Sequence, residues 1–164
     1  VRNAGRGKML YGIGFHPGFC LPMEDGLDFA DYEIAFPGMT DPEYRVFAPD
    51  HLEAGYNESY KGMTGKAIKL DHELFADDAI VLHGMGGRAV LSSPKGSRSV
   101  EVQYDAPWVG LWQTYAHDTP FLCIEPWYTL PGRTETIVDI SKRDDFIHLG
   151  EGESRTHSIS MIIG

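Results

Sequence analysis

The chain is poor in cysteine and in cations. Its two cysteines, Cys20 and Cys123, in 164 residues cannot build a disulfide framework, and reduced thiols are the expectation. Fourteen Lys and Arg stand against twenty-four Asp and Glu, a formal net charge of −10, and the basic residues are scattered. A nucleic-acid partner would need a basic face that neutralises phosphates, so none is expected. No apolar run approaches the ~20 residues that a helix needs to cross a bilayer, and no charged n-region followed by an apolar h-region marks a secretory signal. A cytoplasmic protein with no membrane partner is therefore expected. CxxC, HExxH, P-loop, GxGxxG and G-x-S-x-G patterns are all missing. That removes the usual signatures of zinc sites, nucleotide sites and serine nucleophiles. No metal or cofactor is expected.

What is present is the composition of a cored globular protein, 42% hydrophobic and 23% charged, and residues 1–164 are expected to form one domain. Short strands dominate. Met9, Tyr11, Ile13 and Phe15 share one parity, and Tyr32, Ile34 and Phe36 alternate with Glu33 and Ala35, which predicts strands over 8–15 and 31–36. Loops with one or two short strands fill 39–65, a strand covers 66–70, and Asp71 caps a single turn over 72–75. Apolar runs at 79–83 and 88–91, separated by Gly84-Met85-Gly86-Gly87, predict a hairpin. Further strands are expected at 99–105, 109–114, 134–140 and 154–163. No segment carries a long 3.6-residue period. Short strands and turns without intervening helices imply an all-β antiparallel sandwich.

Two stretches carry the chemistry. In Pro120 to Tyr128 an apolar run, Phe121 to Ile124, leads into Glu125, and Pro126 is expected to end the strand because it has no N–H for a ladder. In Gly14 to Pro22, His16-Pro17-Gly18 breaks the first strand and Phe19 to Pro22 continues as an apolar loop. A glutamate and a histidine, each followed by proline, suit acid/base work: imidazole donates near neutral pH and an ionised carboxylate accepts. The bland alternative for Glu125 is a salt-bridged structural acid, with equal weight on this stretch alone. Cys123 shares the parity of Glu125, and without a basic neighbour it reads as a buried structural thiol.

His16-Pro17-Gly18-Phe19, Leu74-Phe75-Ala76-Asp77-Asp78-Ala79, Gly110-Leu111-Trp112 and Cys123-Ile124-Glu125-Pro126-Trp127, in this order, resemble the aldose 1-epimerases, in particular their LacX-like branch. The resemblance covers most of the chain but corresponds to the C-terminal portion of that family's usual polypeptide. It implies a galactose-mutarotase-type β-supersandwich that interconverts the α- and β-anomers of an aldohexose without a cofactor. Glu125 matches the general base and His16 the general acid. Asp78, or its neighbour Asp77, matches an acid that accepts sugar hydroxyls, and Trp112, Trp127 and Phe19 are candidate sugar contacts. Gly18 stands where relatives carry a larger residue. The expected partner is a small sugar of the glucose or galactose type. The family's N-terminal portion would add strands to the sheet, so a missing portion or a second chain is expected to complete it. The rival readings are a non-catalytic carbohydrate-binding module and a glycoside hydrolase. The hydrolase would pair Glu125 with Asp77 or Asp78 at a carboxyl separation of about 5–9.5 Å.

Overall fold

A computed structural model describes residues 1–116 and 118–164. Thirteen strands appear among the described residues: β1 (Met9–Tyr11), β2 (Gly18–Cys20), β3 (Glu33–Ala35), β4 (Glu43–Phe47), β5 (Glu53–Ser59), β6 (Ala67–Lys69), β7 (Ile80–His83), β8 (Arg88–Ser92), β9 (Ser99–Tyr104), β10 (Trp108–Trp112), β11 (Phe121–Trp127), β12 (Ile147–Leu149) and β13 (Ile159–Ile163). Helical geometry among the described residues is confined to short 3-10 turns, one of them His72–Phe75, where Asp71 accepts a hydrogen bond from the Glu73 N–H as expected of its cap. The strands form a six-stranded sheet, β2-β11-β10-β7-β4-β5, a five-stranded sheet, β13-β9-β8-β3-β6, and the pair β1-β12. Neighbouring strands run antiparallel throughout. The all-β antiparallel architecture expected from the sequence is borne out.

The core lies between the two larger sheets. Leu122 and Ile124 of β11, Val109 and Leu111 of β10 and Leu82 of β7 share one buried cluster with Ile34, Ile68, Leu91 and Val102 of the other sheet. Period two fixes the consequence: the odd positions of β11, Cys123 and Glu125, and the even positions of β10, Gly110 and Trp112, face away from that cluster. The site residues therefore stand on the outer face of the six-stranded sheet.

Several local expectations are corrected. The glycine run at 84–87 does not close a hairpin, because β7 pairs with β10 and β4 while β8 pairs with β9 and β3. It carries the chain from one sheet to the other. Gly84, Gly86 and Gly87 have φ of +76°, +72° and +71°, and a Cβ at Gly86 would lie 2.3 Å from the Gly38 carbonyl, so the crossing depends on residues without side chains. Residues 134–140 form no strand; Ile137 is fully exposed, and an alternating pattern with no apolar surface to cover stays open. The strand over 8–15 shortens to β1, and the apolar loop after Pro17 contains β2.

Pro126 does not end β11, which continues to Trp127. The reason lies in which neighbour loses a bond. The Ile124 N–H donates to Pro17 and the Tyr128 N–H donates to Ile13, so the missing N–H of Pro126 faces the irregular 13–17 segment. The Pro126 carbonyl still accepts from the Phe15 N–H at 2.9 Å. On the other side, the register with β10 runs unbroken from Trp108↔Trp127 to Trp112↔Cys123.

Candidate functional site

Glu125 is 2% exposed. It sits opposite Gly110 of β10, where a Cβ would press on Glu125 Cβ at 3.4 Å and on the Trp127 ring at 3.6 Å. Glycine on the neighbouring strand thus gives the carboxylate and the indole their room. His16 comes from the segment lying along β11, held by the Phe15 and Pro17 backbone bonds to Pro126 and Ile124. Its Nε2 is 3.2 Å from Glu125 Oε1, with the imidazole 60% exposed. That buried oxygen accepts no hydrogen bond from the described residues. Burial raises the Glu125 pKa above its ordinary value; the charge of His16 and a hydrogen bond from the Trp127 side chain oppose the rise, and the charge of Asp78 adds to it. The result is a carboxylate with an increased appetite for a proton, beside a ring nitrogen at a solvent opening.

The two groups line a cavity of about 180 Å³ together with Phe47, His51, Asp78, Ala79, Trp112, Trp127 and Pro131. His16, Trp127 and Pro131 also line an adjoining cavity of about 330 Å³. The His16 ring meets the edge of Trp112, centroids 5.8 Å apart. Five of the residues singled out in the sequence, His16, Glu125, Asp78, Trp112 and Trp127, therefore come together. Two do not. Asp77 is exposed and stands outside the lining. Phe19, at the centre of β2, packs on the sandwich core, because its parity on β2 is opposite to that of Gly18, the residue paired with Cys123.

His51 and Phe47 escape sequence reasoning. Phe47 ends β4, and the turn after it brings His51 Nδ1 to 2.6 Å from Asp78 Oδ2. Both partners adopt left-handed backbone, φ +61° at His51 and +91° at Asp78. Such a conformation costs a side-chain-bearing residue about 1–3 kcal/mol, and it gathers at functional sites. The one available signal was Asp50-His51 in a stretch rich in turn residues, which says nothing about the distant Asp78.

A further cavity, of about 630 Å³, is lined by neither His16 nor Glu125. It surrounds an ionic network. Buried Glu53 accepts from Arg45 Nε at 3.0 Å and Nη2 at 2.5 Å, from Arg133 Nε at 2.9 Å and from the Gly55 N–H at 2.6 Å. Arg143 is tied to Asp145 and to the carbonyls of Leu130 and Pro131. With its arginines engaged by carboxylates, this cavity reads as architecture.

No family model matches the chain. Among solved structures, a galactose mutarotase related enzyme from Lactobacillus acidophilus superposes with a TM-score of 0.87 at 28% identity, over 99% of this chain and 55% of that one. A galactose mutarotase-like protein from Lactobacillus casei gives a TM-score of 0.89 at 23% identity, over 99% and 56%. The chain therefore has the galactose mutarotase-like fold. In sequence it is 31% identical over 122 residues to the chromosomal LacX protein of Lactococcus lactis subsp. lactis, 73% of this chain and 40% of LacX. Its resemblance to the aldose 1-epimerases and their LacX-like branch is thereby borne out. The chain spans less than half the length of LacX and about half that of the structural relatives. Among the described residues no helix is long and apolar enough to cross a membrane.

Proposed function

We propose that the chain carries the acid/base centre of an aldose 1-epimerase. The observation that carries this reading is the pairing of His16 Nε2 with the buried, unbonded Oε1 of Glu125 at 3.2 Å. Mutarotation moves protons at two oxygens attached to the same carbon, O1 and the ring oxygen. Adjacent donor and acceptor atoms suit that task, since each must be within hydrogen-bond reach of its own oxygen. Glu125 takes the proton from the O1 hydroxyl, His16 in its protonated form delivers one to the ring oxygen, and the C1–ring oxygen bond breaks to leave the open aldehyde. Rotation about C1–C2 turns the other carbonyl face to the same hydroxyl. On closure that hydroxyl returns its proton to His16, and Glu125 returns the other to O1. No atom or charge is left over.

The raised proton affinity of Glu125 supports its role as base, because efficiency is greatest when a catalytic pKa lies near the working pH. Asp78, oriented by His51, accepts from sugar hydroxyls, and the rings of Trp112 and Trp127 offer apolar faces to the sugar's C–H groups. An aldohexose of the glucose or galactose type is the substrate class. Glu125→Gln separates this reading from that of a binding module. The rate should fall by about 10²–10⁴, the worth of one acid/base group, while calorimetry finds sugar affinity largely kept. Equal mutarotation in the parent and Glu125→Gln would refute the assignment.

A further inference from the structure

A third side chain belongs to this centre and has no part in the mechanism above. Cys123 lies two residues before Glu125 on the same face of β11, buried at 5% exposure. Its partner across the ladder is Gly18 of β2, and even a Cβ there would stand 3.4 Å from the sulfur. Glycine at 18 therefore keeps a side chain from pressing on the thiol from the side of the His16 segment. His16, Cys123 and Glu125 each offer one ligand atom, and these atoms all lie within 4.8 Å of one another. In a tetrahedral zinc site, bonds of about 2.0–2.3 Å put ligand atoms about 3.3–3.8 Å apart. The His16–Glu125 distance of 3.2 Å already fits, and the sulfur needs to close by about 1 Å at most. Glu125 Oε1 is buried and accepts no hydrogen bond from the described residues, so it is free to take a ligand.

We propose that His16 Nε2, Cys123 Sγ and Glu125 Oε1 bind one soft divalent cation of the zinc class, and that the bound ion blocks the acid/base pair. A thiolate, an imidazole and a carboxylate select zinc or cobalt over magnesium and calcium, which take oxygen ligands alone. Three protein ligands leave a fourth position for water. Burial, followed by the charge of Glu125, pushes the free thiol up to about 11, so the thiol is protonated before the metal arrives. Binding forms the metal–sulfur bond and releases that proton to solvent. The other two ligand atoms are those that hold and deliver protons in the proposed epimerase, so the blocking half of the inference rests on that reading. The metal site does not.

Cobalt(II) titrated into the chelator-treated chain is the test, since a cobalt–thiolate bond announces itself by charge-transfer absorption in the near ultraviolet. One equivalent should bind, and zinc should abolish the band. Cys123→Ser should lose the band and Cys20→Ser should keep it. His16→Ala, at an exposed position that the core does not need, should weaken cobalt binding by at least the ~10–100-fold that loss of even an outer-sphere partner costs. No band, a band that survives Cys123→Ser, or one that disappears with Cys20→Ser overturns the site. In the second arm, one equivalent of zinc should stop mutarotation and a chelator should restore it. Undiminished mutarotation on the zinc-loaded chain overturns the blocking. A chain inactive on sugars that still shows the Cys123-dependent band keeps the metal site and overturns only the activity proposed above.

Discussion

Removing Glu53 should destabilise the chain far more than removing any surface carboxylate. The carboxylate is 3% exposed and joins two arginines of unequal burial: the Arg45 side chain is 12% exposed and Arg133 is 48% exposed. Arg133 turns to water at little cost, as exposed ion pairs contribute about 0–1 kcal/mol. Arg45 cannot, because from its place on β4 its guanidinium is held by Glu53 and Asn57 of β5 and lies 5.9 Å from the centre of the Trp108 ring. Glu53→Ala therefore leaves one buried cation unpaired, a loss of about 3–5 kcal/mol. At ~2–4 °C per kcal/mol for a chain of this size, Tm should fall by about 6 °C or more. Thermal unfolding followed by circular dichroism at pH 7 reads this directly. Arg45→Met in the same chain should recover part of the loss, because it removes the stranded charge.

The pH dependence of Glu53 has a definite sign. Burial works against its ionisation, but hydrogen bonds from Arg133 and Arg45 outweigh it and hold the carboxyl below its ordinary 4.5. A depressed native pKa stabilises above the ordinary value, and that stabilisation is lost as pH falls through the native one. The parent should lose stability below about pH 4.5 more steeply than Glu53→Ala does. A Tm within 2 °C of the parent at pH 7, or a double variant no more stable than the single one, would refute this account of the network.

Glu125 has the opposite sign. Its raised pKa means that the native chain holds this proton more tightly than the unfolded chain does. The stabilisation is present below the ordinary 4.5 and lost as pH rises through the raised value. Glu125→Gln should therefore raise stability at pH 7 by about 1 kcal/mol, and the difference should vanish in acid; a destabilised variant at pH 7 would contradict the burial penalty assigned to this carboxylate. Asp78→Asn removes the charge that faces His51 and any sugar hydroxyl. Calorimetry should show sugar affinity reduced by about tenfold or more, since hydrogen bonds to charged groups contribute about 1.5–3 kcal/mol, and an unchanged affinity would remove Asp78 from the site. Gly86→Ala meets both a left-handed φ and the Gly38 backbone, so urea unfolding should show a loss of at least ~2 kcal/mol.

Where the sequence was legible, one physical rule acted alone. Tyr32, Ile34 and Phe36 alternate with half-buried neighbours in the structure as they do in the sequence, because a strand with one covered face leaves its period in the chain. Gly84 to Gly87 looked like a hairpin because local signals record that the backbone turns, not which sheet receives it. Pro126 reads as a strand end in the sequence because a missing N–H breaks a ladder, whereas in the fold that N–H would face the irregular 13–17 segment and β11 runs on to Trp127. The site shows the same division. His16 and Glu125 stood out by residue type and context, whereas His51 and Phe47 reach the cavity through the β4–β5 hairpin, a long-range placement with no local signature. The Glu53 network joins positions 45, 53 and 133 for the same reason.

The most direct test of the acid/base centre is anomer exchange itself. Freshly dissolved α-D-glucose and α-D-galactose are followed by polarimetry with the parent chain, His16→Ala and Glu125→Gln. The account predicts that the parent speeds the approach to equilibrium and that each variant loses about 10²–10⁴ of the acceleration. A parent that binds either sugar but leaves the spontaneous rate unchanged, or an accelerated rate that survives both substitutions, would contradict it.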